Sequence, residues 1–97
     1  MKEDRFLVAT SGGKKTVYLP LNRLLRIEVV PARASSVSVV AIVFEGYQVN
    51  VQMAPGTEEE FAQELCNKLA SPEMLDVVYL RPEPDKGVNV QFQQQEL

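Results

Sequence analysis

An apolar run followed by a strictly alternating run, both in the middle of the chain, most constrains the fold. Residues 37–44 (VSVVAIVF) are apolar nearly throughout and interrupted by Ser38. They predict a central strand covered on both faces, or one with a bulge that changes phase. Glu45 and Gly46 form the next candidate turn, and residues 47–53 (YQVNVQM) then alternate apolar with amide side chains. This alternation predicts a strand with one solvated face.

A hairpin is predicted near the amino end. Residues 6–9 and 14–19 read as its two strands, joined through Gly12 and Gly13, because glycine accepts the positive φ that hairpin turns require. Residues 20–22 contain a proline and an asparagine and therefore break or bulge the second strand.

Three further strands follow from the same kind of pattern. Leu25, Ile27 and Val29 alternate with residues of the opposite face, which predicts a half-buried strand with these three side chains on one side. Residues 77–80 and 88–92 are the other two candidates, separated by a turn-rich segment.

One amphipathic helix is predicted over residues 57–70. Thr57 and Glu60 have the spacing of a capping box, in which the hydroxyl and the carboxylate satisfy free amides of the first turn. The acidic residues 58–60 and 64 are explained by the helix dipole and by solvation without a metal ion. The apolar stripe at helical spacing consists of Phe61, Ala62, Leu65, Cys66 and Leu69.

These elements predict an α+β fold. We expect an antiparallel β-sheet of about five to six strands with one amphipathic helix, residues 57–70, packed on one face. A strand-rich half-barrel closed by the helix is the nearest alternative. The 97 residues are expected to form a single domain, 1–97, whose tail at 93–97 is frayed.

Residue counts exclude several kinds of site. The chain has no His, the commonest metal ligand and general base, and its one Cys, Cys66, excludes a disulfide framework and a Cys-rich zinc site. On the helix stripe, Cys66 is expected to be a buried core residue. The Gly12-Gly13-Lys14 run lacks the first glycine and the following helix of a phosphate loop. We expect no catalytic residues, no metal and no cofactor.

Two patterns bear on location. The longest apolar run, residues 37–44, is far shorter than the ~20 residues of a membrane span, so no membrane association is expected. The apolar stretch after the charged first residues is too short for a signal peptide. A cytoplasmic protein is therefore predicted.

Charge is distributed unevenly along the chain. Residues 1–33 hold seven basic and three acidic side chains, a net +4, whereas residues 34–97 hold three basic and ten acidic side chains, a net −7. Either the two halves interleave and neutralise each other, which we favour, or they form a basic and an acidic face that promote association. Tyr18 and Tyr47 offer stacking faces if they lie beside the basic segment. The candidate interaction residues are Lys14, Lys15, Arg23, Arg26 and Arg33.

A family resemblance rests on the order of short motifs. Residues 19–22 (LPLN) and 25–28 (LRIE) precede an apolar strand, Glu45-Gly46, another strand and an acidic-capped helix. This order, over roughly residues 5–70, resembles the small FlbD-like proteins of bacterial flagellar operons. The chain is longer than those proteins and has an extra strand pair. The resemblance implies only a non-catalytic accessory protein.

The expected function is that of a non-enzymatic interaction or regulatory module that acts through protein–protein contact. A homodimer or an adaptor on a larger assembly is expected, because a strand-rich chain has sheet edges that need partners or protection. The alternative is a nucleic-acid-binding protein that uses the basic segment 14–33, although the pI of 4.9 works against it. A small-molecule enzyme rests on no motif.

Overall fold

The computed structural model describes residues 5–32, 37–70 and 77–94, which form two sheets and one helix. Short 3-10 turns occupy Leu21–Arg23 and Pro84–Lys86. The strands and the helix are β1 (Phe6–Thr10), β2 (Thr16–Pro20), β3 (Leu24–Val30), β4 (Ser38–Phe44), β5 (Tyr47–Met53), α1 (Glu58–Ala70), β6 (Val77–Leu80) and β7 (Asn89–Gln94).

The strands are divided between a sheet of three and a sheet of four. The first sheet has the order β2-β1-β6, with β1 antiparallel to β2 and parallel to β6. The second sheet has the order β3-β4-β5-β7 and is antiparallel throughout. The predicted α+β class is confirmed. The expected single sheet is instead two, because β6 pairs with the amino-terminal hairpin and β7 pairs with β5.

The central strand pair is confirmed. β4 lies between β3 and β5, and six of its seven residues are buried, which accounts for its nearly unbroken apolar sequence. Val49, Val51 and Met53 of β5 are buried, and the amide residues between them are half-buried on the other face. Ser38, which interrupts the apolar run, is fully buried, and its hydroxyl accepts a hydrogen bond from the Ala32 amide at 3.1 Å.

The amino-terminal hairpin is confirmed, but its turn is built differently. Lys14, and not Gly12 or Gly13, has the positive φ, at 69°. The Lys14 amide donates to the Ser11 carbonyl at 2.9 Å and closes a turn over residues 11–14. Lys14, the last residue of this turn, takes the left-handed conformation, as in three-residue hairpin loops. Gly12 instead allows the close approach of the Asn89 side chain, because a Cβ at residue 12 would lie 2.7 Å from the Asn89 Oδ1.

A β-bulge changes the phase of β3. Leu24 pairs with Phe44 while Arg26 pairs with Val43, so Leu25 is the extra residue. Leu24 and Ile27 pack against the core, whereas Leu25 is 58% exposed. The expectation that Leu25, Ile27 and Val29 share the buried face is wrong for Leu25. Val29 lies in the inward row but remains 36% exposed, because β3 is an edge strand.

The helix begins where the sequence predicts, but without the predicted capping box. The Phe61 amide donates to the Thr57 carbonyl at 3.0 Å, whereas the Thr57 hydroxyl donates backward to the Ala54 carbonyl at 2.8 Å. The Glu58 carboxylate accepts hydrogen bonds from the Gly56 amide at 2.7 and 3.1 Å. That bond, aided by one from Ser38, lowers the pKa of Glu58 below its ordinary value of 4.5.

An arginine from outside the helix contacts the other end of α1. The Arg5 Nη1 donates to the Leu69 carbonyl at 2.9 Å, and Nη2 reaches the Lys68 carbonyl at 3.5 Å. These carbonyls belong to the last turn, where intrahelical donors run out and the helix dipole favours a cation. Arg5 therefore ties the start of β1 to the end of α1.

Both sheets and α1 contribute to one apolar core. Ala62 and Leu65 of α1 enter it, with Phe61 and Leu69 packed at its margin. Cys66 is exposed, so its predicted burial is wrong. Each helical residue turns about 100°, which places Cys66 to the side of the line through Ala62, Leu65 and Leu69. The buried strand residues of the core are Leu7, Ala9, Leu19, Val40, Ile42, Phe44, Val49, Val51, Met53, Val78, Leu80 and Val90.

The carboxyl-terminal strand extends further than expected. Gln93 and Gln94 belong to β7 and pair with Gln48 and Tyr47 of β5, so the first two residues of the tail predicted to fray are ordered in the sheet. Residues 95–97 lie outside the described residues.

Candidate interaction surfaces

The basic residues singled out from the sequence do not form one patch. Lys14 and Lys15 lie in the turn before β2, and Arg23 lies just beyond the other end of that strand. A five-residue strand is roughly 17 Å long, so the two groups are separated by about that distance. Arg26 lies on β3 in the other sheet. Arg33 lies outside the described residues.

Two of these arginines have acidic neighbours. The Arg23 Nη1 lies 3.9 Å from a Glu45 carboxylate oxygen, and the Arg26 Nε donates to Glu28 at 2.6 Å. All four side chains are about half exposed or more, so the pairs add little to stability. Arg23 comes from the basic half of the chain and Glu45 from the acidic half, so at this point the two halves interleave.

The edge of β3 presents an apolar surface. Only β4 pairs with β3 among the described strands, which leaves the outer row of its backbone amides and carbonyls without a strand partner. Leu25 is 58% exposed and Val30 is 51% exposed, while Arg26 and Glu28 stand between them. A seven-residue exposed edge with aliphatic side chains is a template for pairing with another strand.

On the outer face of the four-stranded sheet, β4 contributes Val39, Ala41 and Val43, of which Ala41 and Val43 are buried, whereas β5 and β7 carry polar side chains. β5 and β7 place amide side chains opposite each other across the strands, and several of them hydrogen-bond in pairs. The Gln48 amide donates to Asn50 at 2.7 Å, and the Asn50 amide donates to Gln93 at 3.3 Å. These amide side chains make the β5–β7 part of the face polar. The apolar surface of the sheet is therefore concentrated at β3.

A second exposed surface lies on the outer face of the three-stranded sheet. Tyr18 and Tyr79 flank Val8 in one row across the strands, and they are 66% and 59% exposed while Val8 is buried beneath them. The Arg81 guanidinium lies 4.8 Å from the centre of the Tyr79 ring, within the range of a cation–π contact. The sequence named Tyr18 as a stacking candidate but gave no signal for Tyr79 or Arg81.

Tyr47, the other stacking candidate, is half-buried and does not present an exposed ring as Tyr18 does. Its ring packs against Phe92 with centroids 5.8 Å apart and planes tilted by 48°, and burial raises the pKa of the Tyr47 hydroxyl. Tyr47 therefore belongs to the margin of the core and not to an exposed basic surface.

The cavities offer space but little chemistry. A cavity of about 230 Å³ lies between α1 and β6, below the ~300 Å³ at which small-ligand pockets begin. A wider groove of about 700 Å³ runs between the β1–β2 turn and the segment before β7, with Lys14 and Arg81 in its lining and no carboxylate. Among residues 5–32, 37–70 and 77–94, no three acidic or cysteine side chains are grouped to hold a metal ion.

Comparisons with known proteins give no assignment. No protein-family model matches this chain, and no curated protein or solved structure matches it. The resemblance to FlbD-like proteins therefore stays a resemblance. Within the part of the chain that the structure describes, no helix is long and apolar enough to cross a bilayer.

Proposed function

We propose that this chain is a non-enzymatic interaction module that acts through protein–protein contact at the edge of β3. The single observation that carries the proposal is the exposure of Leu25 and Val30 on a seven-residue edge strand. Its cytoplasmic location stays a prediction.

The outer backbone amides and carbonyls of β3 have no strand partner among the described residues. A second strand laid along this edge would satisfy them and would cover the exposed aliphatic side chains at the same time. Burying a leucine or valine side chain is worth about 1.5–3 kcal/mol, so even two such contacts contribute substantially to affinity. The outer face supports an edge-on contact over a face-on one, because Ala41 and Val43 of β4 are already buried and the amides of β5 and β7 bond to each other.

Two lysine substitutions test the proposal. Leu25→Lys and Val30→Lys place a charge on the exposed edge, which natural sheets use to prevent pairing, and both sites are open enough to leave the fold intact. We expect the dissociation constant of any complex to rise at least about tenfold, measured by sedimentation velocity over a concentration series. Tyr18→Lys is the matched control, because Tyr18 is at least as exposed, at 66%, but lies on the other sheet. Association that responds to the control and not to the edge variants would overturn the proposal.

A second candidate function, nucleic-acid binding, is favoured by a different observation. Tyr18 and Tyr79 share a row on the outer face of the three-stranded sheet, Arg81 stacks on Tyr79, and Lys15 lies at the turn of the same sheet. Exposed aromatic rings beside cations are the usual platform for single-stranded nucleic acid. Fluorescence anisotropy with a labelled single-stranded oligonucleotide at low salt tests it. Binding that weakens with salt and is lost in Tyr79→Ala would support this function, and no binding at low salt would eliminate it.

A further inference from the structure

We propose that the partner of β3 is the β3 strand of a second copy, paired antiparallel about a two-fold axis at Ile27. This inference rests on the proposed function and adds the partner and the register. It follows from a symmetry in the strand: read outward from Ile27, the sequence LLRIEVV places opposite charges at Arg26 and Glu28 and aliphatic residues beyond them on both sides.

A two-fold axis at Ile27 sets each residue opposite the one whose number adds with its own to 54. Arg26 then faces Glu28 of the second copy, and Glu28 faces Arg26 of the second copy, so the contact contains two opposite-charge pairs. Leu25 is the extra residue of the bulge, so the regular pairing of the two β3 strands ends at Arg26. Opposite-charge cross-strand pairs stabilise an antiparallel ladder. The strand is therefore complementary to itself, as a symmetric interface requires.

Other registers are disfavoured by charge or by the direction of the side chains. A shift of one residue sets the core face of one copy against the solvent face of the other. Moving the axis to Arg26 sets two arginines opposite each other, and moving it to Glu28 sets two glutamates opposite each other. Like charges directly opposite are destabilising. Among the axes at Arg26, Ile27 and Glu28, only the one at Ile27 combines matched faces with matched charges.

Exposure makes the contact reachable. The Arg26 and Glu28 side chains are 58% and 48% exposed, and their own hydrogen bond of 2.6 Å shows that both lie on the same face of β3. The bulge leaves Leu25 projecting from the strand next to the charged pairs, where a second copy laid along the edge would reduce its exposure to water.

The contact is small, which sets the expected affinity. A seven-residue strand is about 23 Å long, so its edge buries less than the ~1,200 Å² at which standard stable interfaces begin. The bulge at one end shortens the regular ladder further. We expect a reversible dimer with a dissociation constant of about 1–100 μM at low salt.

Two single charge-reversal variants of the full chain test the register. Arg26→Glu and Glu28→Arg each replace both opposite-charge pairs of the dimer by like-charge pairs. Each variant should self-associate at least about tenfold more weakly than the wild type by sedimentation velocity. An equimolar mixture of the two restores both pairs between chains and should recover the wild-type dissociation constant within about threefold. With the axis at Arg26 or Glu28, the central pair stays like-charged in either variant, so neither would weaken association.

Matched controls separate this contact from general electrostatics. Lys86→Glu and Glu64→Arg make the same charge changes at exposed positions outside β3, and neither they nor their mixture should alter association. The difference between the Arg26→Glu variant and the wild type should also shrink as salt rises. Melting temperatures near the wild-type value confirm that the variants fold.

The outcomes distinguish this inference from the proposed function. If Leu25→Lys abolishes self-association but the mixture of charge variants recovers nothing, the register is wrong and the β3 contact stands. If neither the lysine nor the charge variants weaken the dimer, both proposals fail. A wild-type chain that stays monomeric up to about 1 mM at low salt overturns the second-copy partner and leaves the proposed function to a different protein.

Discussion

The contact between Arg5 and the end of α1 leads to the sharpest stability prediction. Arg5→Met keeps most of the aliphatic stem but removes the hydrogen bond to the Leu69 carbonyl at 2.9 Å. A hydrogen bond from a charged group contributes about 1.5–3 kcal/mol, and the longer bond to Lys68, at 3.5 Å, adds little. The loss of a cation near the helix end adds about 0.3–1 kcal/mol.

One feature of the site works in the opposite direction. The Arg5 Nε is buried and has no hydrogen-bond partner within the described residues, so methionine relieves a desolvated donor. The net expectation is a loss of about 1.5 kcal/mol, which corresponds to a fall of about 6–12 °C in Tm for a domain of this size.

The assay is thermal and urea unfolding followed by circular dichroism, with amide hydrogen exchange to locate the effect. Exchange should quicken most in the last turn of α1. Arg23→Met is the matched control, because Arg23 makes an exposed ion pair at 3.9 Å and its loss should cost less than about 0.5 kcal/mol. An Arg5→Met variant as stable as this control would refute the role assigned to the contact.

Three further predictions concern the core, the hairpin turn and the start of α1. Leu65→Ala should destabilise the fold by about 2–5 kcal/mol, because Leu65 is 5% exposed and its removal leaves a cavity; an unchanged Tm would contradict the packing of α1. Lys14→Gly should stabilise the fold by about 1 kcal/mol in urea unfolding, since glycine adopts a φ of 69° without the cost that a side chain carries there. Glu58→Gln tests pH dependence. The folded-state pKa of Glu58 is lowered, so its contribution is present above 4.5 and is lost as the pH falls through the folded value. The urea midpoints of wild type and variant should therefore differ at neutral pH and converge below pH 4.5, and a constant difference would exclude the carboxylate as the cause.

Local patterns were sufficient to predict the β4–β5 pair and the bounds of α1. The alternation of β5 and the apolar run of β4 each reflect how many faces of the strand are buried. This information lies in the spacing of apolar residues within one short segment. The helix start was predictable from Thr57 and the acidic residues after it, although the hydroxyl of Thr57 bonds to Ala54 instead of to the first turn.

The candidate site was only half predictable. The charges of Arg26 and Glu28 are evident from the sequence. A strand-rich composition also indicates that some sheet edges must be paired or protected. Leu25 was assigned to the core because alternation assumes a regular ladder. The bulge that exposes it arises from the pairing of β3 with β4, which no local window contains.

Tertiary structure alone decided which strands lie at edges and which distant groups meet. Arg5 and Leu69 are 64 residues apart, and no pattern in either segment marks their contact. The chain likewise gives no local sign that β6 joins β1 while β7 joins β5. The α+β class, the central strands and the helix could be predicted from the amino-acid pattern, because each depends on a period or a cap within about a dozen residues. The partition into two sheets, the exposed edge of β3 and the anchoring of α1 depend on contacts between segments far apart in the chain, whose energies appear only when those segments are brought together.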